Sequence, residues 1–286
     1  MSIRDFFVYR LGRVISDKMW LKMKCRQHLN QKVDFKKPIT FNEKMQWLKL
    51  HDRKPEYTIM ADKYLVKERV AKLIGKQYVI PLLGVWDRAE DVDISLLPDK
   101  FVLKTTHDCG GVIVCRDKRN FDYNKMISNF SNRLTKNYFW NCREWPYKNI
   151  KPRIIAEKYM EDDKTLCLPV YKILCFNGTP EIIQTIQNDK QENEAIDYFD
   201  TDWNLLELKQ NYPNSDNPLP RPAKLNEMLE VARKLSEGMR FIRIDLYSIN
   251  DEIFFSEYTF YSDAGLAEFE PRYWDKVLGE KIPLSQ

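Results

Sequence analysis

Along this chain, apolar residues recur every three or four positions in some stretches and gather into short β-rich runs in others. Ile3, Phe7, Leu11, Val14 and Ile15 share one helical face, so residues 1–30 are expected to form one or two helices. Lys36–Thr40 reads as a turn, with Thr40 as N-cap and Glu43 as its capping-box partner. The helix Phe41–Leu50 would then bury Phe41, Met45 and Leu48, with Trp47 beside them. A second helix is expected over 59–74, closed by Gly75 and carrying Asp62 and Lys63 near its start. The helix dipole disfavours a lysine in the first turn, so Lys63 either reaches a bound phosphate or is an ordinary surface residue. Residues 78–86 read as a buried strand and turn, and the acidic 87–98 stretch is the best internal boundary.

Strands follow at 101–104 and 112–115, around the loop Thr105–Gly111. The adjacent Gly110 and Gly111 either let backbone amides approach an anion or make an ordinary Gly-rich turn. The loop is not a Walker A, which needs Gly-Lys-Ser/Thr entering a helix, and GxGxxG is absent. Residues 121–136 read as helical, and the aromatic 137–151 segment as irregular core or lid packing rather than a sugar-stacking surface. An apolar strand from Arg153 ends in Glu157, Lys158, Tyr159 and Met160, an edge able to pair with adenine, with Glu161 and Asp162 able to meet a ribose. Two more strands, 170–177 and 181–187, meet at the turn Asn177–Pro180, while 198–206 and 211–222 read as loops. The amphipathic helix 225–239 leads into Phe241–Phe260, two strands joined at Ser248–Glu252. Arg243, Asp245 and Tyr247 share a face of the first strand. If Tyr247 pairs with Ile253, Asp245 and Glu257 become diagonal neighbours roughly 7–8 Å apart. Such a pair, with Arg243 beside it, is either a hard-metal site for polyphosphate or a solvent-facing salt bridge.

At 286 residues and 43% hydrophobic, the chain can bury a sizeable core in two or three subdomains. No apolar run approaches the ~18–20 residues of a membrane span, and charge interrupts the start too often for a secretory signal. The 6 cysteines include no CxxC pair and the 3 histidines lie far apart, which argues against structural zinc and for reduced thiols in the cytoplasm. The net charge of +4 is uneven: residues 1–40 hold ten Lys/Arg against three Asp/Glu. A basic amphipathic helix there either lies on an anionic membrane surface or packs on the domain. No nucleic-acid partner is expected, because no module motif occurs and the remainder is not basic.

The succession Asp62-Lys63, Lys104, Gly110-Gly111, Glu157–Met160, Arg243-x-Asp245 and Glu257-x-Thr259 resembles the ATP-grasp superfamily. Within it the chain looks most like the TupA-like group, named for teichuronopeptide biosynthesis, over roughly residues 30–280. The matching segments are Thr40–Lys44 with Trp47-Leu48, Ala61–Tyr64, Pro81–Gly84, Tyr171–Gly178, Arg243–Tyr247 and Glu257–Phe260. The resemblance implies an α+β ATP-grasp fold with the nucleotide between two α+β subdomains. It divides the chain into a basic helical segment 1–54, a pre-grasp subdomain 55–98, a central subdomain 99–160 and a C-terminal subdomain 161–286 with the magnesium site. Carried over by position, Lys63 and Lys104 match phosphate-contacting lysines, and Gly110 and Gly111 match the loop over the phosphates. Glu157, Lys158, Tyr159 and Met160 match the adenine-binding edge, with Glu161 or Asp162 at the ribose. Asp245 and Glu257 match magnesium ligands, and Arg243 matches the arginine that neutralises the acyl-phosphate region. Thr259 stands where the family usually has an asparagine ligand, so coordination there passes to a hydroxyl.

The implied activity is an ATP- and Mg2+-dependent carboxylate–amine ligase working through an acyl phosphate. Its partners would be an amine or amino acid and a carboxylate on a capsule, O-antigen or teichuronic-type glycan or precursor. Lys172 and His107 are candidate acceptor contacts, and residues 1–30 offer a contact with the inner face of the membrane. The alternative is a glycosyltransferase using Asp91-Val92-Asp93 or Asp200-Thr201-Asp202 as a DxD motif; a third reading is a non-catalytic binding protein on a retained fold.

Overall fold

The computed structural model describes residues 12–163, 168–189 and 191–284. Most of the proposed N-terminal apolar face (Ile3, Phe7, Leu11) lies outside these residues, as does Cys167. In chain order come α1 (Asp17–Leu29), α2 (Phe41–His51), α3 (Glu56–Ala61), α4 (Leu65–Ile74), β1 (Leu82–Trp86), β2 (Phe101–Thr105) and β3 (Val112–Cys115). They are followed by α5 (Tyr123–Leu134), α6 (Phe139–Cys142), β4 (Ile154–Lys158), β5 (Val170–Phe176), β6 (Thr179–Gln187) and β7 (Ala195–Phe199). The last are α7 (Leu225–Ser236), β8 (Phe241–Ile249), β9 (Glu252–Thr259) and α8 (Tyr273–Glu280). Lys54–Glu161 forms one compact unit, and the described residues before and after it form the other. Among the described residues no helix is long and apolar enough to cross a membrane, and the five described cysteines form no disulfide.

The 54–161 unit holds a 4-stranded antiparallel sheet in the order β1-β4-β2-β3. Segments 55–98 and 99–160 share this sheet because β1 pairs with β4. Phe101, Leu103, Ile154 and Ala156 turn inward against Met126 and Phe130 of α5. The expected helix over 59–74 is broken in two. Asp62 is extended (φ −75, ψ 111), and its carboxylate accepts from Tyr64 N (2.8 Å) and Leu65 N (3.3 Å), capping α4 from outside. Lys63 therefore sits in the break rather than in a helical first turn.

The larger unit holds a 5-stranded sheet, β7-β6-β5-β8-β9. Leu225, Met228, Val231, Ala232 and Leu235 of α7 cover one face. β7 stands partly where a loop was expected. Its flanks are charged and mask the strand signal, yet pairing with β6 buries Ile196, Tyr198 and Phe199. The α2 capping box forms as expected: Glu43 N donates to Thr40 Oγ1 (3.3 Å) and Thr40 N to Glu43 Oε2 (3.2 Å). Phe41 packs edge-on against Phe241 (5.0 Å) and Phe269 (5.6 Å), and Lys44 Nζ donates to Gly279 O and Ile282 O, both at 2.8 Å. Gly279 permits this approach, since a Cβ there would stand 2.2 Å from Ile39 O.

Candidate functional site

The β8–β9 hairpin closes through Asn250 and Asp251, both left-handed (φ 52 and 61), as a two-residue turn of this hand requires. Tyr247 faces Phe254, not Ile253, and Ser256 forms a bulge between the pairs Leu246–Phe255 and Asp245–Glu257. The two shifts put Glu257 directly opposite Asp245 rather than diagonal to it. On the other side of β8, Asp245 faces Lys172. Since Lys172 pairs with Gln184 and Gln184 with Tyr198, one polar row crosses the sheet: Glu257, Asp245, Lys172, Gln184, Tyr198.

Arg243 anchors this row. Its Nε donates to Asp245 Oδ1 (2.7 Å) and its Nη2 to Asp245 Oδ2 (2.8 Å), with further bonds to Thr259 Oγ1 (3.1 Å) and Ser262 Oγ (3.2 Å). Both members of the pair are buried. Burial opposes the charge on the guanidinium, but the Asp245 carboxylate outweighs it and holds the Arg243 pKa above its ordinary value. Lys172 has its pKa pushed down by burial and by Arg243, against the pull of Asp245, Glu257 and Asp263. An ammonium and a guanidinium beside two carboxylates make a surface suited to anionic oxygens bridged by a cation.

No group of three or more His, Cys, Asp or Glu side chains is placed to hold a metal among the described residues. The donor set Asp245 and Glu257 nevertheless fits magnesium, which takes one or two carboxylates and completes its shell with water and phosphate oxygens. Thr259, the hydroxyl expected to ligate, accepts from Arg243 and keeps a second lone pair.

Behind the row, the loop Ser262–Gly265 is clasped by α2. Gln46 Nε2 donates to Ala264 O (3.1 Å) and Gly265 O (2.7 Å), and the fully buried Lys49 donates from Nζ to Ala264 O (2.7 Å). Sequence reasoning missed Gln46 and Lys49. The available signal was two polar residues three apart on the apolar face of an amphipathic helix.

In the 54–161 unit, the structure gathers Lys63, Lys104, the glycine loop and Glu157. Lys63 Nζ donates to Asp108 O (2.5 Å), and Lys63 N to Thr106 O (3.2 Å). The loop closes by Thr105 N to Gly111 O (2.8 Å), while the Asp108 carboxylate accepts from the Thr105 hydroxyl and from Arg133 Nη1 (2.6 Å). A Cβ on Gly111 would stand 1.7 Å from Thr105 Oγ1, so that position must be glycine. Gly110 has φ 77 and nothing within 4 Å of its missing Cβ. Glu157 lies between two ammonium groups, Lys104 Nζ at 2.6 Å and Lys67 Nζ at 2.5 Å. Burial alone would raise its pKa, but the two lysines hold it below the ordinary carboxylate value. The side chain expected at an adenine edge is thus committed to positioning lysines. Lys67, also missed, follows the buried Val66 on α4.

Lys158 N is taken by Pro81 O (3.0 Å), and Tyr159 Oη donates to Glu161 Oε2 (2.7 Å). Met160 follows in irregular, half-buried chain. Asp162 accepts from Asn250 N (2.9 Å) within the larger unit. His107 is buried with Nε2 bonded to Arg133 O (3.1 Å), and burial lowers its pKa; it is a structural loop residue rather than a displayed acceptor contact. Of the two DxD triplets, Asp93 accepts from Ser95 N (2.9 Å) and Asp200 from Asp202 N (2.9 Å) and Asn204 N (2.8 Å), so each spends a carboxylate on its own turn.

The family model described as TupA-like ATPgrasp matches residues 43–283. No curated protein matches the chain significantly. Among solved structures, an L-amino acid ligase from Bacillus licheniformis aligns with a TM-score of 0.50 at 13% identity, covering 86% of this chain and 56% of that one. A D-alanine–D-alanine ligase from Helicobacter pylori aligns at 0.45 and 16% identity, covering 85% and 69%. One from Bacillus anthracis, complexed with ATP, aligns at 0.41 and 13%, covering 70% and 53%. This chain spans between 53% and 69% of the length of these ligases.

Proposed function

We propose, since this chain belongs to the TupA-like ATP-grasp family, that it is an ATP- and Mg2+-dependent ligase joining a carboxylate to an amine. The observation that supports it is the Asp245–Glu257 pair, set face to face by the Ser256 bulge, with Arg243 locked onto Asp245 and Lys172 on the other side. Magnesium held by Asp245 and Glu257 would supply charge neutralisation at the β- and γ-phosphates. Arg243 and Lys172 offset negative charge on the transferred group, and their burial strengthens that effect. Lys63, Lys104 and the Gly110-Gly111 amides bind nucleotide oxygens, with Glu157 and Lys67 fixing where Lys104 points. The Lys158–Met160 edge takes the base and Glu161 the ribose. ATP phosphorylates the substrate carboxylate with release of ADP; the amine nitrogen then attacks the acyl carbon and phosphate leaves.

The finer reading is that the carboxylate or the amine belongs to a cell-surface polysaccharide or its precursor, handled at the cytoplasmic side. Its support is the subgroup resemblance of the Tyr171–Gly178 and Glu257–Phe260 segments.

ADP release is measured with Mg-ATP across pairs of uronic acids, amino acids and amino sugars. ADP is expected only with a specific pair, and Glu257→Ala is expected to abolish it while the fold, by circular dichroism, stays intact. Unchanged turnover in Glu257→Ala overturns the mechanism.

A further inference from the structure

The backbone beside the Arg243–Asp245 pair is held in an unfavourable shape. Asp263, Ala264 and Gly265 are consecutively left-handed, with φ of 48, 55 and 60, and the facing Asn211 has φ 63. Non-glycine residues stay in that region only where their surroundings over-determine it, and such positions cluster at ligand clamps. Here the surroundings are Gln46 and the buried Lys49, both on Ala264 O, and Met45, whose Cβ would lie 2.4 Å from a Cβ on Gly265.

This clasp presents the Asp263 carboxylate to solvent. Oδ1 accepts from Asn211 Nδ2 (3.0 Å) and Oδ2 from Ser262 Oγ (3.1 Å), which leaves each oxygen a lone pair for a further donor. Ser262 also accepts from Arg243, so Asp263 is two hydrogen bonds from the residue that holds Asp245. Its charge acts on Arg243, Lys172 and Tyr198. Tyr198 supplies an independent sign of a missing partner. It is 2% exposed, stands in the same polar row, and its hydroxyl has no hydrogen-bond partner among the described residues. Finally, Asn211 lines a cavity of about 590 Å³ together with Lys209, Gln210, Tyr212, Glu268 and Arg272.

We propose that Asp263 anchors the ammonium group of the amine co-substrate, and that the adjoining cavity takes the rest of that molecule. This rests on the ligase reading above and gives it an amine side. An ammonium offers three donors, and Asp263 has lone pairs to receive them. The cavity wall carries both signs of charge, two amides, the rings of Tyr212 and Phe269, and Pro213. An apolar substituent would strip water from Lys209, Glu268 and Arg272 without pairing them, so the amine must be hydrophilic.

The test is calorimetric titration of the full chain with glucosamine and with cyclohexylamine, rings of one size that differ in their hydroxyls. D-Alanine and ethanolamine serve as smaller polar amines. Titrations are run with and without Mg2+ and a non-hydrolysable ATP analogue. At least one hydrophilic amine is expected to saturate the protein, cyclohexylamine is not, and Asp263→Asn is expected to weaken the hydrophilic amine at least tenfold. Asparagine tolerates the left-handed backbone; its Oδ1 can accept from Asn211 Nδ2 while its Nδ2 donates to Ser262 Oγ, so this variant should fold. Equal affinity in Asp263→Asn, equal binding of cyclohexylamine, or no binding of any hydrophilic amine overturns the proposal. Failure of the nucleotide analogue to bind counts against the ligase reading instead, and the amine titrations without it still decide the role of Asp263.

Discussion

The Lys67–Glu157–Lys104 cluster allows two substitutions to be ranked before either is made. Glu157 is the shared counter-ion of two ammonium groups whose side chains are only 13% and 16% exposed. Glu157→Gln leaves two poorly hydrated cations near one another around a single neutral carbonyl. Breaking a buried pair so that a charge is left uncompensated costs about 3–5 kcal/mol. The partial exposure of both lysines places this case at the lower end, about 3 kcal/mol. Lys67→Met removes one cation with its contacts to Glu157 Oε1 and to Ile80 O (2.9 Å), yet Glu157 keeps Lys104 as counter-ion, so the loss is about 2 kcal/mol. The assay is amide hydrogen exchange of β2 and β4, which reports the stability of the sheet itself. The pH dependence has a definite sign. The folded-state pKa of Glu157 lies below its ordinary value of 4.5, so its contribution is complete above that value and is lost as pH falls through the folded pKa. The gap between wild type and Glu157→Gln should therefore narrow on acidification. A Glu157→Gln cost equal to or below that of Lys67→Met, or a gap that widens toward low pH, refutes the reasoning.

Two further outcomes follow from the same geometry. Gly111→Ala forces its Cβ onto Thr105 Oγ1 in a largely buried loop, and should both raise the KM for Mg-ATP at least tenfold, measured by ADP release, and lower the thermal unfolding midpoint. Thr259→Val keeps shape but deprives the buried Arg243 of an acceptor, costing about 1–2 kcal/mol in urea unfolding; if the hydroxyl also ligates magnesium, the Mg2+ concentration for half-maximal turnover rises as well.

Much of the fold could be read from local pattern, because the signals were local. The Thr40–Glu43 box, α5, α7 and the Asn250-Asp251 turn each follow from residues within a few positions of one another. What escaped was set by individual hydrogen bonds and bulges that periodicity does not carry, or by distant partners. The 59–74 stretch keeps helical periodicity throughout, and only the Asp62 carboxylate, free to cap Tyr64 N and Leu65 N, divides it. The register of Asp245 against Glu257 depends on a one-residue bulge that alternation cannot announce. For the candidate site, residue types were legible and commitments were not. Glu157 looked like a nucleotide contact, but two lysines, one from α4, claim its carboxylate. His107 left two readings open, an acceptor contact or a loop residue satisfied by the backbone, and the Arg133 carbonyl and burial favour the second.

The order in which the larger unit's parts appear along the chain also bears on its synthesis. Phe41 and Lys44 on α2 find their partners at Phe241, Phe269, Gly279 and Ile282, with the whole 54–161 unit encoded in between. At roughly 5–20 residues per second, a ribosome needs on the order of 10–50 s to supply them. During that interval the inserted unit is complete and can fold, whereas the apolar face of α2 is exported without a docking surface. A nascent chain paused near residue 200 should thus present Phe41, Met45 and Leu48 to whatever binds unfolded hydrophobic segments. α2, made before the inserted unit, is among the last elements to be secured.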